Sequence, residues 1–584
     1  MAAREVRGRA GGVKVTGRRS LRAVLCLSLI VLVPLPCAQA HEDMADMPMP
    51  GKLGSVSFET SCKPQVRVDF NRGVALLHSF QHDEAERTFA GVAVADSDCA
   101  MAYWGEAMTH FHQFLDTPKP SDIIAADQEL KAADAAQEKT PREAAYIHAL
   151  HLFFDGYVGR QYLEHAKLYA DSMAATAAAY PRDLEAQVLY ALALLASDPP
   201  EDVDLVNPRK AVAILYPIFR QYPNHPGVAH YIIHACDNPT MAHEGLEAAR
   251  RYARIAPASP HALHMPSHIF ARLGLWQDDI RSNLASKAAA EDAKGMHVGA
   301  ENRLHAMEFL EYAYLQVGDD EKARAILAEA GTVSQAAVDR RYAEYYPIVQ
   351  ARYPALFAIE TQNWEMAAHL KLIAPEDRDS AGVTLLAHAV AAGHLQDRTL
   401  ASEAVQAIDA LTAKNPSQPG HPGEKVLHDE IHAWADFAKG DTSGAEALLR
   451  PIADRQDKIG KGEVELPARE MLAEMFLLRG NARAAEGEYE VSLKHDPNRF
   501  NALLGAGRAA QQLGQHAKAV QYYRALVANC PGATGPAVKE LEHARAIISR
   551  YGSGLGGGPE SGESDPDLRS AMSDSGAPTE KRAP

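Results

Sequence analysis

Cysteine is scarce: the 584 residues include six, two of them within the first forty positions, and no Cys-x-x-Cys pair occurs. A thioredoxin-like or zinc-ribbon site is therefore excluded. The sequence also lacks a Gly-x-Ser-x-Gly elbow, a glycine-rich phosphate loop followed by Lys-Ser or Lys-Thr, and a dinucleotide fingerprint, so the common nucleophile and nucleotide motifs are missing. After residue 40 no stretch is apolar and long enough to span a bilayer, and no convincing run of alternating strand residues appears. Basic charge is short as well, with 59 Lys and Arg against 76 Asp and Glu and a formal net charge of −17. Such a surface lacks the basic footprint that binds phosphates, which argues against nucleic acid and anionic membranes as partners. Cationic metals, basic proteins and neutral ligands stay open.

The basic residues that do occur crowd the start. Seven lie in residues 1–40 against one acid, followed by an apolar run from Ala23 to Leu35 and the small-residue stop Ala38-Gln39-Ala40. That is the layout of a cleaved export signal, too short for a mature membrane helix. Arg18-Arg19-Ser20-Leu21 resembles a twin-arginine signal, although paired arginines also occur in ordinary secretory signals. Cleavage takes the formal charge to about −23 and places the protein in the periplasm or outside the cell. Four cysteines survive it. Cys62 and Cys99 precede successive first helices at nearly equivalent places, and after export they are expected to pair.

From about residue 66 to 548 the pattern is helical: alanine-rich segments with apolar spacings of three and four, broken by Gly, Pro and Asn-Pro. Gly480, Ala485, Tyr489 and Pro497 recur at Gly514, Ala519, Tyr523 and Pro531, each 34 residues later. Glycine permits the tight turn between two helices, alanine their close approach, tyrosine fills the interface with the next pair, and proline ends the second helix. This resembles the tetratricopeptide repeat. Weaker copies surround Gly318, Gly274 and the stretch holding Gly73, Ala85 and Phe89. The expected fold is an all-α helix-turn-helix solenoid. Residues 41–58 read as a flexible His/Met leader, 59–412 as an N-terminal histidine-rich array, 413–425 as a separating loop, 426–550 as C-terminal repeats and 551–584 as a disordered tail.

Seventeen of the 26 histidines fall between His41 and His305. His261, His264 and His268 lie 13, 10 and 6 residues before Gly274, within about 60° of one another on a helical face. His230 and His234 each stand 34 residues before His264 and His268, and the same offsets from Gly318 give His305, Glu308 and Tyr312. In the tetratricopeptide family such positions line the concave groove, so the resemblance implies an inward-facing column over three repeats. Two histidines four apart on a helix, with ligands from a neighbouring helix, can bind one transition metal such as zinc, copper or iron. Glu308 or Asp237 could complete or orient the set, and Glu308 and Tyr312 are the candidate acid-base groups. Alternatively the column binds a partner's backbone and carboxylates, or is buried polar packing. Pro266 is expected to bend the helix.

Weaker candidates are His78 and His110, each five residues after a glycine, the exposed-looking pair His428 and His432, and His148, His151 and Asp155. His41, which would be the first residue after cleavage, and Met44, Met47 and Met49 would suit copper. The stretch 230–276, containing "HYIIHACDNP" and "HALHMPSHIFARLGLW", resembles a signature of exported bacterial tetratricopeptide-repeat proteins. Three functions follow as expectations. The first is a scaffold holding a protein or peptide in its groove. The others are a periplasmic metalloenzyme, hydrolase or oxidoreductase, and a copper- or zinc-handling protein.

Overall fold

Helix starts follow the capping residues written into the sequence. The side chains of Asp183, Ser259, Asp319, Asn363, Asp377, Asp441 and Asn481 each accept a hydrogen bond from a backbone N–H in the first turn of the helix that follows. Pro226 and Pro260 open helices Pro226–Cys236 and Pro260–His264, where a missing N–H costs nothing. In the computed structural model the described residues are 53–111, 117–157, 162–200, 202–292, 299–338, 342–414, 422–462 and 464–552. The expected export segment, His41, Met44, Met47, Met49 and the tail from 553 onward lie outside them. Among the described residues there are twenty-six α-helices and no strand, only an isolated bridge between Asp319 and Thr534. No helix there is long and apolar enough to cross a membrane.

The fold is the all-α helical repeat that the sequence pattern calls for. Each helix packs on its neighbours in the chain. Gly274, Gly318, Gly480 and Gly514 take the turns within their helix pairs at φ between +62° and +77°, a conformation in which side chains other than glycine are strained. In the earliest repeat the corresponding turn, after helix Arg67–His78, is occupied by Phe80 at φ +52°. Gly73 lies inside that helix instead, and the space left by its missing Cβ is filled by the Phe89 ring.

Two expected boundaries move. Residues 53–58 do not behave as a loose leader: Phe58 is buried among Phe70, Trp104 and Tyr146, and Ser55 N–H donates to the Asn224 carbonyl. Burying that ring against three aromatic neighbours favours the ordered segment. Nor do residues 413–425 divide two arrays. Helices Arg398–Lys414 and Pro422–Lys439 flank that position and share a single apolar cluster running from Ala355 to Met475. At the N-terminal end Cys62 and Cys99 are disulfide-bonded.

The chain also returns on itself, so that segments around Asn498, Phe500 and Thr534 pack against the repeats that hold Gly274 and Gly318. Trp276 Nε1 donates to the Asn498 carbonyl (2.9 Å), Phe500 N–H to Gln316 Oε1 (3.0 Å) and Thr534 N–H to the Gly318 carbonyl (2.8 Å). A Cβ on Gly274 would stand 2.3 Å from the Pro497 carbonyl oxygen, so this turn glycine also permits contact with a segment more than two hundred residues away. At the centre of the seam Arg499, fully buried, donates from Nε and Nη2 to both oxygens of Glu470 (2.6 and 3.1 Å), from Nη2 to Glu360 (2.7 Å) and from Nη1 to the Tyr312 hydroxyl. Removing one member of a buried ion network leaves uncompensated charge, so Arg499→Ala is expected to lower stability by about 3–5 kcal/mol. The urea midpoint reads this directly, and an unchanged midpoint would show that Arg499 does not hold the seam.

Candidate metal centre

Six histidines converge where three successive first helices meet. His230 and His234 come from helix Pro226–Cys236, and His261 and His264 from helix Pro260–His264. His268 comes from helix Pro266–Arg272 and His305 from helix Ala300–Gln316. Pro266 lacks the N–H of a continuous helix and the helix divides at Met265, though the backbone stays right-handed there, so His264 and His268 still face one another.

The column separates into two sets of three. In the first, His230 Nε2 lies 3.0 Å from His234 Nε2 and 3.1 Å from His261 Nε2. In the second, His264 Nε2 lies 3.0 Å from His268 Nε2, and the His305 ring packs on His264 with centroids 4.4 Å apart. Metal–nitrogen bonds of about 2.0–2.1 Å in a tetrahedral site put ligand nitrogens about 3.3 Å apart, so these three pairs are close to the spacing an ion requires, and within each set all ligand atoms lie within 4.8 Å of one another.

What lies behind four of the rings fixes their tautomers. His230 Nδ1–H donates to the His78 carbonyl oxygen (2.7 Å), which can only accept. His264 Nδ1–H donates to Asn283 Oδ1 (2.6 Å), while Asn283 Nδ2 donates on to the Asp279 carboxylate (2.8 Å). His268 Nδ1–H donates to Asp237 (2.8 Å), whose other oxygen takes Arg272 Nε–H (2.9 Å). His305 Nδ1–H donates to Glu308 (3.2 Å), which also holds Arg352 (2.8 Å) and the Tyr345 hydroxyl. The ε nitrogens of His264 and His268 therefore turn lone pairs toward each other, a pair that a shared proton or a metal ion would reconcile, while His230 Nε2 is left as an acceptor facing His234 and His261. Metal-bound imidazoles in proteins are anchored in this way, from behind, by a carbonyl or carboxylate.

The surroundings keep four of the rings neutral. Burial, reinforced by the neighbouring imidazoles, holds His230, His261 and His264 well below the ordinary histidine pKa, and burial together with His268 pushes His234 down to about 3. Burial would raise Asp237 and Glu308, but Arg272 and His268 in one case, and Arg352 and His305 in the other, hold both carboxyls below their usual range. Phe80 covers the first set, 4.5 Å from the His230 ring and 5.6 Å from those of His234 and His261. Phe309 covers the second, 4.8, 4.9 and 5.5 Å from His264, His268 and His305. Beside His268 a cavity of about 10 Å³, room for one water, is lined by Asp237, Arg272, Phe309, Tyr312, Lys461 and Asp496 among others.

Of the candidate acid-base groups, Glu308 stands behind His305 and is already engaged. Tyr312 lies further along the same helix, its hydroxyl taken by Arg499. Neither faces the convergent nitrogens. His78, expected at the edge of the patch, belongs to a separate cluster in which every ring nitrogen is used. His78 Nε2 and His225 Nε2 donate to the two oxygens of Glu185 (2.8 and 2.9 Å), while their Nδ1 atoms accept from the Tyr231 hydroxyl and the Val228 N–H. A Cβ at Gly227 would strike the His78 ring at 2.4 Å. His110 donates to Glu129 (3.2 Å), and His151 pairs with Asp155 and Asp134. At the surface Asp409 Oδ1 takes both His428 Nε2 (3.0 Å) and His432 Nε2 (2.8 Å).

Sequence reasoning did not find Asn283, Arg272, Arg352, Tyr345 or Phe80. Phe309 was within reach, since it lies four residues after His305 on the same face.

No protein-family model matches this sequence, and comparison with curated proteins gives no match. Among solved structures the chain is similar to Naa15/Naa10 bound to HypK-THB, at 10% identity with a TM-score of 0.19, covering 86% of this chain and 93% of that one. It is also similar to the P58(IPK) TPR domain, at 14% identity with a TM-score of 0.20, covering 78% and 99%. At such scores the comparisons say nothing about activity.

The neutral rings make a pH prediction. A histidine held below 6.5 in the fold takes its proton first in the unfolded chain, so stability present above about pH 6.5 is lost as the pH falls, by up to about 1.4 kcal/mol per pH unit for each ring that stays neutral. Urea midpoints of the metal-free protein between about pH 7.5 and 5 should fall accordingly; a constant midpoint would mean that the rings are protonated in the folded state.

Proposed function

We propose that the chain is an exported helical-repeat metalloprotein that holds a transition metal between the imidazoles of successive repeats. The carrying observation is that ε nitrogens converge at 3.0–3.1 Å in both sets while the δ nitrogens of His230, His264 and His268 donate backward to fixed acceptors, which sets the His264 and His268 lone pairs against each other. All-imidazole sets suit zinc, copper or iron. Three protein ligands leave a fourth position open, the pattern of ions that polarise a bound water or substrate rather than serve structure alone. The small cavity at His268 supports the presence of such a water. Glu308 and Asp237 act here as positioning residues, setting the tautomers of His305 and His268.

An ion gripped by helices from neighbouring repeats also fixes their relative placement. In this reading the metal centre stiffens an array whose exposed faces hold a protein or peptide partner, as repeat arrays do. The test is elemental analysis of untagged, exported protein. Wild type is expected to carry zinc, copper or iron, and the His264→Ala, His268→Ala double variant to lose metal while keeping its helical circular dichroism. Folded wild type that stays metal-free after incubation with zinc would overturn the proposal.

A further inference from the structure

The repeat does not extend one ligand set; it copies it. The pair His230 and His234 returns 34 residues later as His264 and His268, and each pair takes its third imidazole from the first helix of the following repeat, His261 in one case and His305 in the other. Within each set the ligand nitrogens all lie within 4.8 Å of one another, a span one ion can close. We propose that this chain holds two transition-metal ions side by side, one in each three-histidine set. The inference rests on the metal-binding reading above and goes beyond it.

Three observations favour two sites over a single shared one. Six imidazoles exceed the four ligands of a tetrahedral ion, so a single such ion leaves at least two buried rings without a role. His261 and His264 sit on one short helix yet point to different partners: His261 Nε2 to His230 (3.1 Å) and His264 Nε2 to His268 (3.0 Å). The enclosures are separate as well. The first set has the His78 carbonyl behind it and Phe80 over it, whereas the second has Asn283, Asp237 and Glu308 behind it and Phe309 over it. Helix Pro260–His264 forms the common wall. Each ion would have an open coordination position.

The number of ions decides the matter. Metal-free full-length exported protein is titrated with Co(II), followed by visible absorption and by elemental analysis after removal of unbound ion. Wild type should take up two equivalents. His234→Ala and His305→Ala, chosen because both side chains are only half-buried and so are tolerable losses to the fold, should each take up one, with circular dichroism confirming that they fold. One equivalent in wild type, lost in either single variant, would overturn the pair and leave the metal-binding reading standing. No Co(II) uptake by folded wild type would overturn both.

Discussion

Arg499 has no access to water, and the closure of the array depends on what surrounds it. Its guanidinium ties Glu470 and Glu360 to Tyr312, and so joins the C-terminal repeats to the repeat that carries His305. Burying three charges in this way contributes little net stability, yet it punishes any other arrangement, because a half-made network strands charge in a dry interior. The bonds at Gly274, Gly318 and Gln316 lie along the same seam. Together they bury the Tyr312 end of the helix that carries His305, and burial is what keeps imidazoles neutral.

The periodic features were legible in the sequence. Turn glycines, the 34-residue step and the inward face of His230, His234, His264 and His268 depend on local geometry that repeats, so a helical wheel finds them. Contacts at long separation were not legible. Nothing local announces that Gly274 must make room for Pro497, or that Arg272, which holds Asp237, also reaches the Lys461 carbonyl. The split between His261 and His264 was hidden for a related reason: three residues on one helix face look alike until the neighbours that select their rotamers are known. Tyr312 shows the converse, a correct helical position whose side chain was claimed by a distant arginine.

The histidine clusters show how bland and reactive arrangements differ within one molecule. Around Glu185 each ring nitrogen has a partner of the opposite kind, so the cluster is saturated and serves packing. Its one outward contribution is the His78 carbonyl that fixes His230. In the second set of three the His264 and His268 ε nitrogens face each other as acceptors. Counting histidines does not separate these cases, whereas following each proton does.

The disulfide between Cys62 and Cys99 encloses Phe80, the aromatic residue seated in a left-handed turn over the first set of imidazoles. A terminal repeat ordinarily has one neighbour and frays first. Here a covalent loop makes the end of the array behave like its middle, at the place where backbone strain would otherwise be released. The oxidising power of the compartment in which the chain matures therefore sets how firmly that aromatic cover is held, although neither sulfur touches a histidine of the centre.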